Sequence, residues 1–248
     1  MAQKSHPAVE IQRRYYTDTA RHYDDMHSHE GCVDAFSTKF VLAVLRMLDA
    51  HSVLDVGTAT GRGLRNLKEA MPNLFACGVE PVAALAREAV RNDNFAATSV
   101  LQAYGEALPF PDASFDVVCE FGILHHANNP NAVVKEMLRV ASKAVLISDS
   151  NRFGQGSFPM RFIKLVLYKA KLWGAYNYLR TGGKGYMITE GDGLAYSYSV
   201  FDSFELIARW AGRVILVPMP TDTEDRHSSS WFHPLLNSGG VLVCALRE

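Results

Sequence analysis

The sequence predicts an α/β protein built on a mostly parallel sheet with helices on both faces. Short, near-continuous apolar runs alternate with amphipathic segments between residues 36 and 150. Strands apolar on both sides belong to a parallel sheet covered on each face. One such run, VLDVGTATGRG at 53–63, passes straight into a glycine-rich turn and then a helical rhythm. Strand, glycine turn, helix is the context of a backbone-lined binding loop. The chain offers seven strand-like runs in all.

The elements follow in order. Residues 11–23 are polar and aromatic with helical content, and 36–48 (FSTKFVLAVLRML) set apolar side chains at helical spacing. Strands are expected at 52–56, 75–80, 99–102, 115–120 and 144–149, with helices at 63–70, 83–91 and 130–140. Pro81 stands where the second of these helices can start. The rhythm then breaks. Residues 151–198 read as an insert holding an aromatic amphipathic helix around 159–176 and the glycine-rich turn TGGKG at 181–185. A helix at 203–210, a strand at 214–218, a polar loop at 221–230 and a last strand near 240–246 complete the chain.

Composition bounds the function. The 248 residues, 48% of them hydrophobic, suffice for one sizeable core with a subdomain or insert. A net charge of -1 argues against a dedicated nucleic-acid binder. Cys32, Cys77, Cys119 and Cys244 are widely spaced and read as reduced thiols rather than a disulfide framework or metal cluster. The start of the chain has no long apolar stretch and no segment offers a membrane span, so neither signal peptide nor transmembrane helix is expected, and a cytoplasmic location is.

The binding loop and the second acid narrow the ligand. A dinucleotide loop wants G-x-G-x-x-G; here the order is Gly57-x-Ala59-x-Gly61-x-Gly63. GVEP places Glu80 at the end of the second strand, where a carboxylate accepts both hydroxyls of a ribose. NAD and S-adenosylmethionine both carry that ribose, so Glu80 alone does not choose. The glycine spacing resembles the D/E-x-G-x-G-x-G of class I S-adenosylmethionine-dependent methyltransferases, with Ala59 in place of the second glycine. The block YGEALPFPDASFDVVCEFGILHH at 104–126 is similar to the ALPFPDxSFD loop and LHH strand end of the small-molecule, ubiquinone/menaquinone-biosynthesis type. The resembling blocks cover about 15–150.

The resemblance implies a Rossmann-like seven-stranded methyltransferase fold with an antiparallel last strand, and S-adenosyl-L-methionine as cofactor. It implies that Gly57 and Ala59 lie under the cofactor, in a loop with Asp55 and Thr58 that Gly61 completes. Glu80 would hold the ribose, and Pro81 and Val82 would flank the adenine. Tyr104 stands where the family often has an acid, which leaves the adenine contact to Gly105 or Glu106. Glu120 and Phe121 occupy positions of backbone contact near the methionine moiety. His125 and His126 follow: one is a candidate general base, since an imidazole takes a proton near neutral pH, and a packing or capping role is the alternative. No metal is implied. RRYYTDTARHYDDM at 13–26 resembles an opening helix that folds over the cofactor, with Tyr16 and Tyr23 as covering residues and Arg21 either near the methionine carboxylate or at the surface.

The expected organisation is an N-terminal cover (1–35), a cofactor-binding core (36–150), a substrate-recognition insert or lid (151–198) and the end of the core sheet (199–248). In the insert, Phe162, Leu165, Val166, Tyr168, Leu172 and Trp173 accompany Arg161, Lys164, Lys169 and Lys171. A lid over an apolar substrate, a dimer contact and shallow membrane-surface binding compete. The function so implied is methyl transfer to a small aromatic or apolar metabolite, on oxygen ahead of nitrogen or carbon. An RNA or protein methyltransferase, a non-catalytic binding module on the same fold and an NAD enzyme are the rivals.

Overall fold

The computed structural model describes residues 7–27, 33–92, 99–189, 192–219, 236 and 238–247. Helices α1 (Pro7–Thr19) and α2 (Tyr23–His27) precede α3 (Val33–Met47). The alternation then runs β1 (Ser52–Val56), α4 (Arg62–Ala70), β2 (Phe75–Val79), α5 (Ala83–Asn92), β3 (Ser99–Leu101), β4 (Phe115–Phe121), α6 (Pro130–Val140) and β5 (Ala141–Ser150). Next come α7 (Phe158–Lys169), α8 (Trp173–Arg180), the hairpin strands β6 (Tyr186–Thr189) and β7 (Gly193–Tyr196), α9 (Phe204–Trp210), β8 (Arg213–Met219) and β9 (Gly240–Leu246).

Seven strands form one sheet in the order β3-β2-β1-β4-β5-β9-β8. Neighbours from β3 to β5 pair in parallel, and β9 runs antiparallel between β5 and β8. The last strand is therefore the antiparallel one, as the resemblance implied. The chain lays strands outward from β1 to β3, then returns to set β4 on the other side of β1. That reversal opens a crevice at the carboxyl ends of β1 and β4, where such sheets bind ligands.

Strand side chains alternate between two cores. Leu54, Val118, Val145 and Val243 face one side with Val134 and Met137 of α6. Val53, Val117, Leu146 and Leu242 face the other with Leu45 of α3 and Leu64 of α4. Each fully buried Val or Leu contributes about 1.5–3 kcal/mol relative to exposure, so the two-sided cover holds the strand ends in place. Cys77, Cys119 and Cys244 are free and buried within the sheet; Cys32 lies outside the described residues. So does the expected polar loop at 221–230. Among the described residues no helix is long and apolar enough to cross a membrane.

The insert departs from expectation. The single helix expected at 159–176 is two, α7 and α8, broken where Lys171 turns left-handed at φ 60°. The short hairpin β6–β7 follows, which no alternation of residues announced. The insert is anchored by Arg152, which is buried, pairs with Asp202 and sits 5.1 Å from the Trp173 ring. Two cations of helix α7 bond to backbone carbonyls, while Lys169 is exposed. Arg161 donates to the carbonyls of Gly156 and Leu236, and Lys164 to those of Arg152 and Gln155. Phe162 and Val166 stand outward, 63% and 49% exposed.

Candidate active site

The crevice is built from the turn after β1. The Gly57 N–H donates to the Val79 carbonyl at 2.7 Å, which ties the turn to β2. Gly57 sits at φ 78°, and a Cβ there would lie 2.4 Å from Cγ2 of Ile123, so both backbone and space require glycine. Ala59 adopts φ 48°, a left-handed conformation that costs a non-glycine residue about 1–2 kcal/mol. The departure from glycine thus leaves the shape of the loop intact. Gly61, at φ 76°, is the N-cap of α4.

Glu80 follows β2. Its carboxylate is buried and accepts the N–H groups of Ala59 at 3.0 Å and Val82 at 2.8 Å, one on each oxygen. Burial pushes its pKa up to about 7, against those two hydrogen bonds. A carboxylate accepts about four hydrogen bonds, so Glu80 keeps acceptor capacity on the cleft wall.

The cleft encloses about 1040 Å³ of empty space, part of it open to solvent. Of the residues expected at the cofactor, Gly57, Ala59, Glu80, Pro81, Gly105, Glu106 and Phe121 line it, as do Tyr16 and Tyr23 of the N-terminal helices. Asp55, Thr58, Gly61 and Glu120 do not. The Asp55 carboxylate lies beneath the loop, beside Gly63 and Cys119. The Thr58 methyl packs over Gly78. Glu120 is fully buried, accepts the Ile123 N–H, and is raised well above the usual carboxyl range by burial and by Asp149. Of these, Asp55, Thr58 and Glu120 are buried behind the residues that line the cleft. Arg21 is exposed; Arg13 of α1 faces the cleft instead and donates to the Tyr104 hydroxyl.

Past β4 the chain makes a 3₁₀ turn, Leu124–His126. His126 lines the cleft and His125 does not. His125 Nδ1 lies 2.8 Å from Asp149 Oδ1, and Nε2 lies 3.1 Å from Asp192 Oδ2. Burial opposes charge on this ring, but the two carboxylates outweigh it and raise the imidazole well above its ordinary value. His126 Nδ1 donates to the Leu194 carbonyl at 2.6 Å. Its Nε2 lies 3.1 Å from the Tyr16 hydroxyl and 3.2 Å from Asp192 Oδ1. Helix α1 closes the ring of contacts, because Gln12 Oε1 accepts the Leu194 N–H.

Asp149 and Asp192 did not stand out in the sequence as site residues. Asp149 ends the strand run AVLISD at a carboxyl edge, which is a usable signal. Asp192 comes from the β6–β7 hairpin, and only the folded chain brings it to the histidine pair. Among the described residues, none from α7 or α8 lines this cleft.

A methyltransferase-domain family model matches residues 54–147. The ubiquinone/menaquinone biosynthesis C-methyltransferase UbiE of Geobacter sulfurreducens is 30% identical over 183 residues, 67% of this chain and 71% of the relative. This chain belongs to the class I S-adenosylmethionine-dependent methyltransferases. Magnesium protoporphyrin IX methyltransferase of Synechocystis PCC 6803, solved with S-adenosylhomocysteine, shares its fold with a TM-score of 0.61, over 97% of this chain and 100% of that one at 14% identity. An S-adenosylmethionine-dependent methyltransferase of Thermotoga maritima does so at 0.56, over 96% and 99% at 17% identity.

The methyltransferase cofactor, S-adenosylmethionine, fits what the cleft offers. A buried carboxylate with acceptor capacity to spare meets the need of a ribose diol, and the glycine turn leaves backbone beside it. NAD chemistry is set aside by the family.

Proposed function

We propose that this methyltransferase acts on a small, largely apolar or aromatic metabolite and methylates a hydroxyl oxygen. The observation that carries the reading is the position of His126. It lines the same cleft as Glu80 and Ala59, next to Phe121 and Gly122, with Tyr16 and Asp192 within 3.2 Å of its Nε2. A hydroxyl needs help in losing its proton, and polar groups gathered at one end of a mostly apolar cleft suit that task.

Within the reading, Glu80 holds the ribose, and Pro81, Gly105 and Glu106 flank the adenine. Tyr16 and Tyr23 cover the cofactor from the segment 1–35. Bound S-adenosylmethionine supplies a methyl group on a positively charged sulfur. The chain's own part is alignment and exclusion of water, both large terms in a displacement. His125 and His126 are the candidate catalytic pair, with His126 nearer the acceptor and His125 behind it. The segment 151–198 recognises the acceptor through the β7 end, whose Asp192 and Leu194 contact the pair, while the exposed apolar side chains of α7 suit a contact between two copies of the chain.

The name of the Geobacter relative specifies carbon methylation, so transfer to carbon is the second reading. Labelled methyl transfer to pools of small metabolites, tRNA and peptides tests both. A methyl ether as product supports the first and a new carbon–carbon bond the second. Transfer only to tRNA or peptide overturns both.

A further inference from the structure

The histidine pair is arranged unlike a free general base. A base must present an unshared nitrogen lone pair to the substrate. Here Nε2 of both rings points at one carboxylate, Asp192, at 3.1 and 3.2 Å. His125 Nδ1 faces Asp149 Oδ1, which only accepts; His126 Nδ1 faces the Leu194 carbonyl at 2.6 Å, with the Gln12 side-chain amide 3.0 Å away, and its Nε2 also meets the Tyr16 hydroxyl.

The two rings lie with centroids 4.0 Å apart, and both Nε2 atoms converge on Asp192. A protein-only arrangement has Tyr16 donating to Nε2 of His126 while His125 pairs with Asp149 and Asp192. A single cation between the two Nε2 atoms and Asp192 fits the same convergence. The donor atoms all lie within 4.8 Å of one another. Ligands about 2.0–2.2 Å from one ion stand about 3.0–3.5 Å apart from each other, which matches the two nitrogen–oxygen separations. Metal-bound histidines characteristically give their second N–H to a carboxylate or a backbone carbonyl, and these two rings have one of each.

We infer that His125, His126 and Asp192 form a binding site for one divalent first-row transition-metal ion, with Asp149 and the Leu194 carbonyl orienting the two rings. Two imidazoles and one carboxylate favour zinc, iron(II) or cobalt(II) over magnesium or calcium. Three protein ligands leave a position open, and His126 places it at the cleft. That position suits an oxygen of the acceptor, whose proton a bound cation makes easier to lose. This use rests on the proposed hydroxyl acceptor; the site itself does not. It also replaces the imidazole base as the means of activation.

The test is metal uptake by the full chain after stripping with a chelator. Titration with Co²⁺, read by its visible absorption and by calorimetry, is expected to saturate at one equivalent, with Zn²⁺ displacing it. Asp192→Asn, at a half-exposed position, is expected to weaken Co²⁺ binding at least 100-fold while S-adenosylhomocysteine binding stays within about twofold, which shows the variant folded. Asp149→Asn is expected to weaken it about 10–100-fold. No saturable uptake of either ion by a wild-type sample that binds S-adenosylhomocysteine overturns the inference. So does uptake that Asp192→Asn leaves unchanged. Methyl transfer to a hydroxyl that persists at full rate in excess chelator removes the metal and leaves the proposed function standing; uptake without any hydroxyl acceptor does the reverse.

Discussion

The carboxylate of Glu80 accepts the backbone N–H of Ala59 at 3.0 Å, across the mouth of the turn that follows β1. One contact thus joins the cofactor-side acid to the one loop residue that departs from the family's glycine.

Glu80 makes cofactor binding depend on pH. Its pKa is raised from 4.5 to about 7, so the folded, ligand-free protein holds a proton there that the unfolded chain has lost. Stability from this group is therefore present at low pH and declines as pH rises from about 4.5 to 7. In the proposed site the ribose hydroxyls donate to the ionised form, so there the ligand works in the opposite sense. Affinity for S-adenosylhomocysteine is expected to be about tenfold weaker at pH 6 than at pH 8, with proton release on binding below pH 7. Calorimetry in buffers of different ionisation enthalpy checks this, and Glu80→Gln should flatten the profile.

The loop residues separate by substitution. Ala59→Gly removes left-handed strain of about 1–2 kcal/mol against a backbone-entropy cost of about 0.5–1 kcal/mol. It is expected to keep stability and binding, whereas Ala59→Leu fills the cleft and abolishes cofactor binding.

Gly57 and Gly63 belong to one motif but should respond oppositely to alanine. Gly57→Ala meets both a positive φ and Ile123 at 2.4 Å, and a loss of about 2–4 kcal/mol in urea denaturation is expected. Gly63 lies within α4 and its added Cβ would meet only ordinary contacts at 3.5 Å and beyond. Gly63→Ala is expected to be neutral or to stabilise by up to about 1 kcal/mol.

His125 and His126 should differ in kind. Removing His125 leaves the buried Asp149 carboxylate without its ring hydrogen bond, and a loss of stability on the order of 3 kcal/mol is expected. His126→Ala should instead leave the melting curve close to wild type and lower turnover by about 10²-fold or more at saturating cofactor, whether the ring acts on the acceptor directly or through a bound ion. Thermal denaturation and turnover of the two variants, side by side, give the comparison.

Helix α7 offers a test of self-association. Phe162 and Ile163 are 63% and 46% exposed. Replacing both with Ser should cost less than about 1 kcal/mol of fold stability. If α7 joins two copies, sedimentation at micromolar concentration will shift from dimer to monomer.

Legibility in the sequence followed burial. β1, β2, β4, β5 and β9 are buried runs, and their apolar residues announced them. β6 carries strand-forming Tyr, Ile and Thr, but three of its four residues are exposed, so no buried alternation marked it. The break between α7 and α8 falls at Lys171, without the glycine or proline that would have marked it. α7 half-buries Arg161 and Lys164 while Phe162, Ile163 and Val166 stand exposed, which its amphipathic pattern alone did not tell. In the site, Glu80, Gly57 and Ala59 were readable because turn and acid sit at fixed places after strands. Asp192 was not: 66 residues separate it from His126, and only the hairpin's return to the 3₁₀ turn makes them neighbours.

Helix α1 touches both halves of the reaction. Tyr16 stands over the cofactor cleft while its hydroxyl meets His126, and Gln12, one turn earlier, grips the backbone of Leu194. A displacement of α1 away from the cleft would strain the Tyr16–His126 and Gln12–Leu194 contacts together. On the proposed placement of the two ligands, one helix thus spans both.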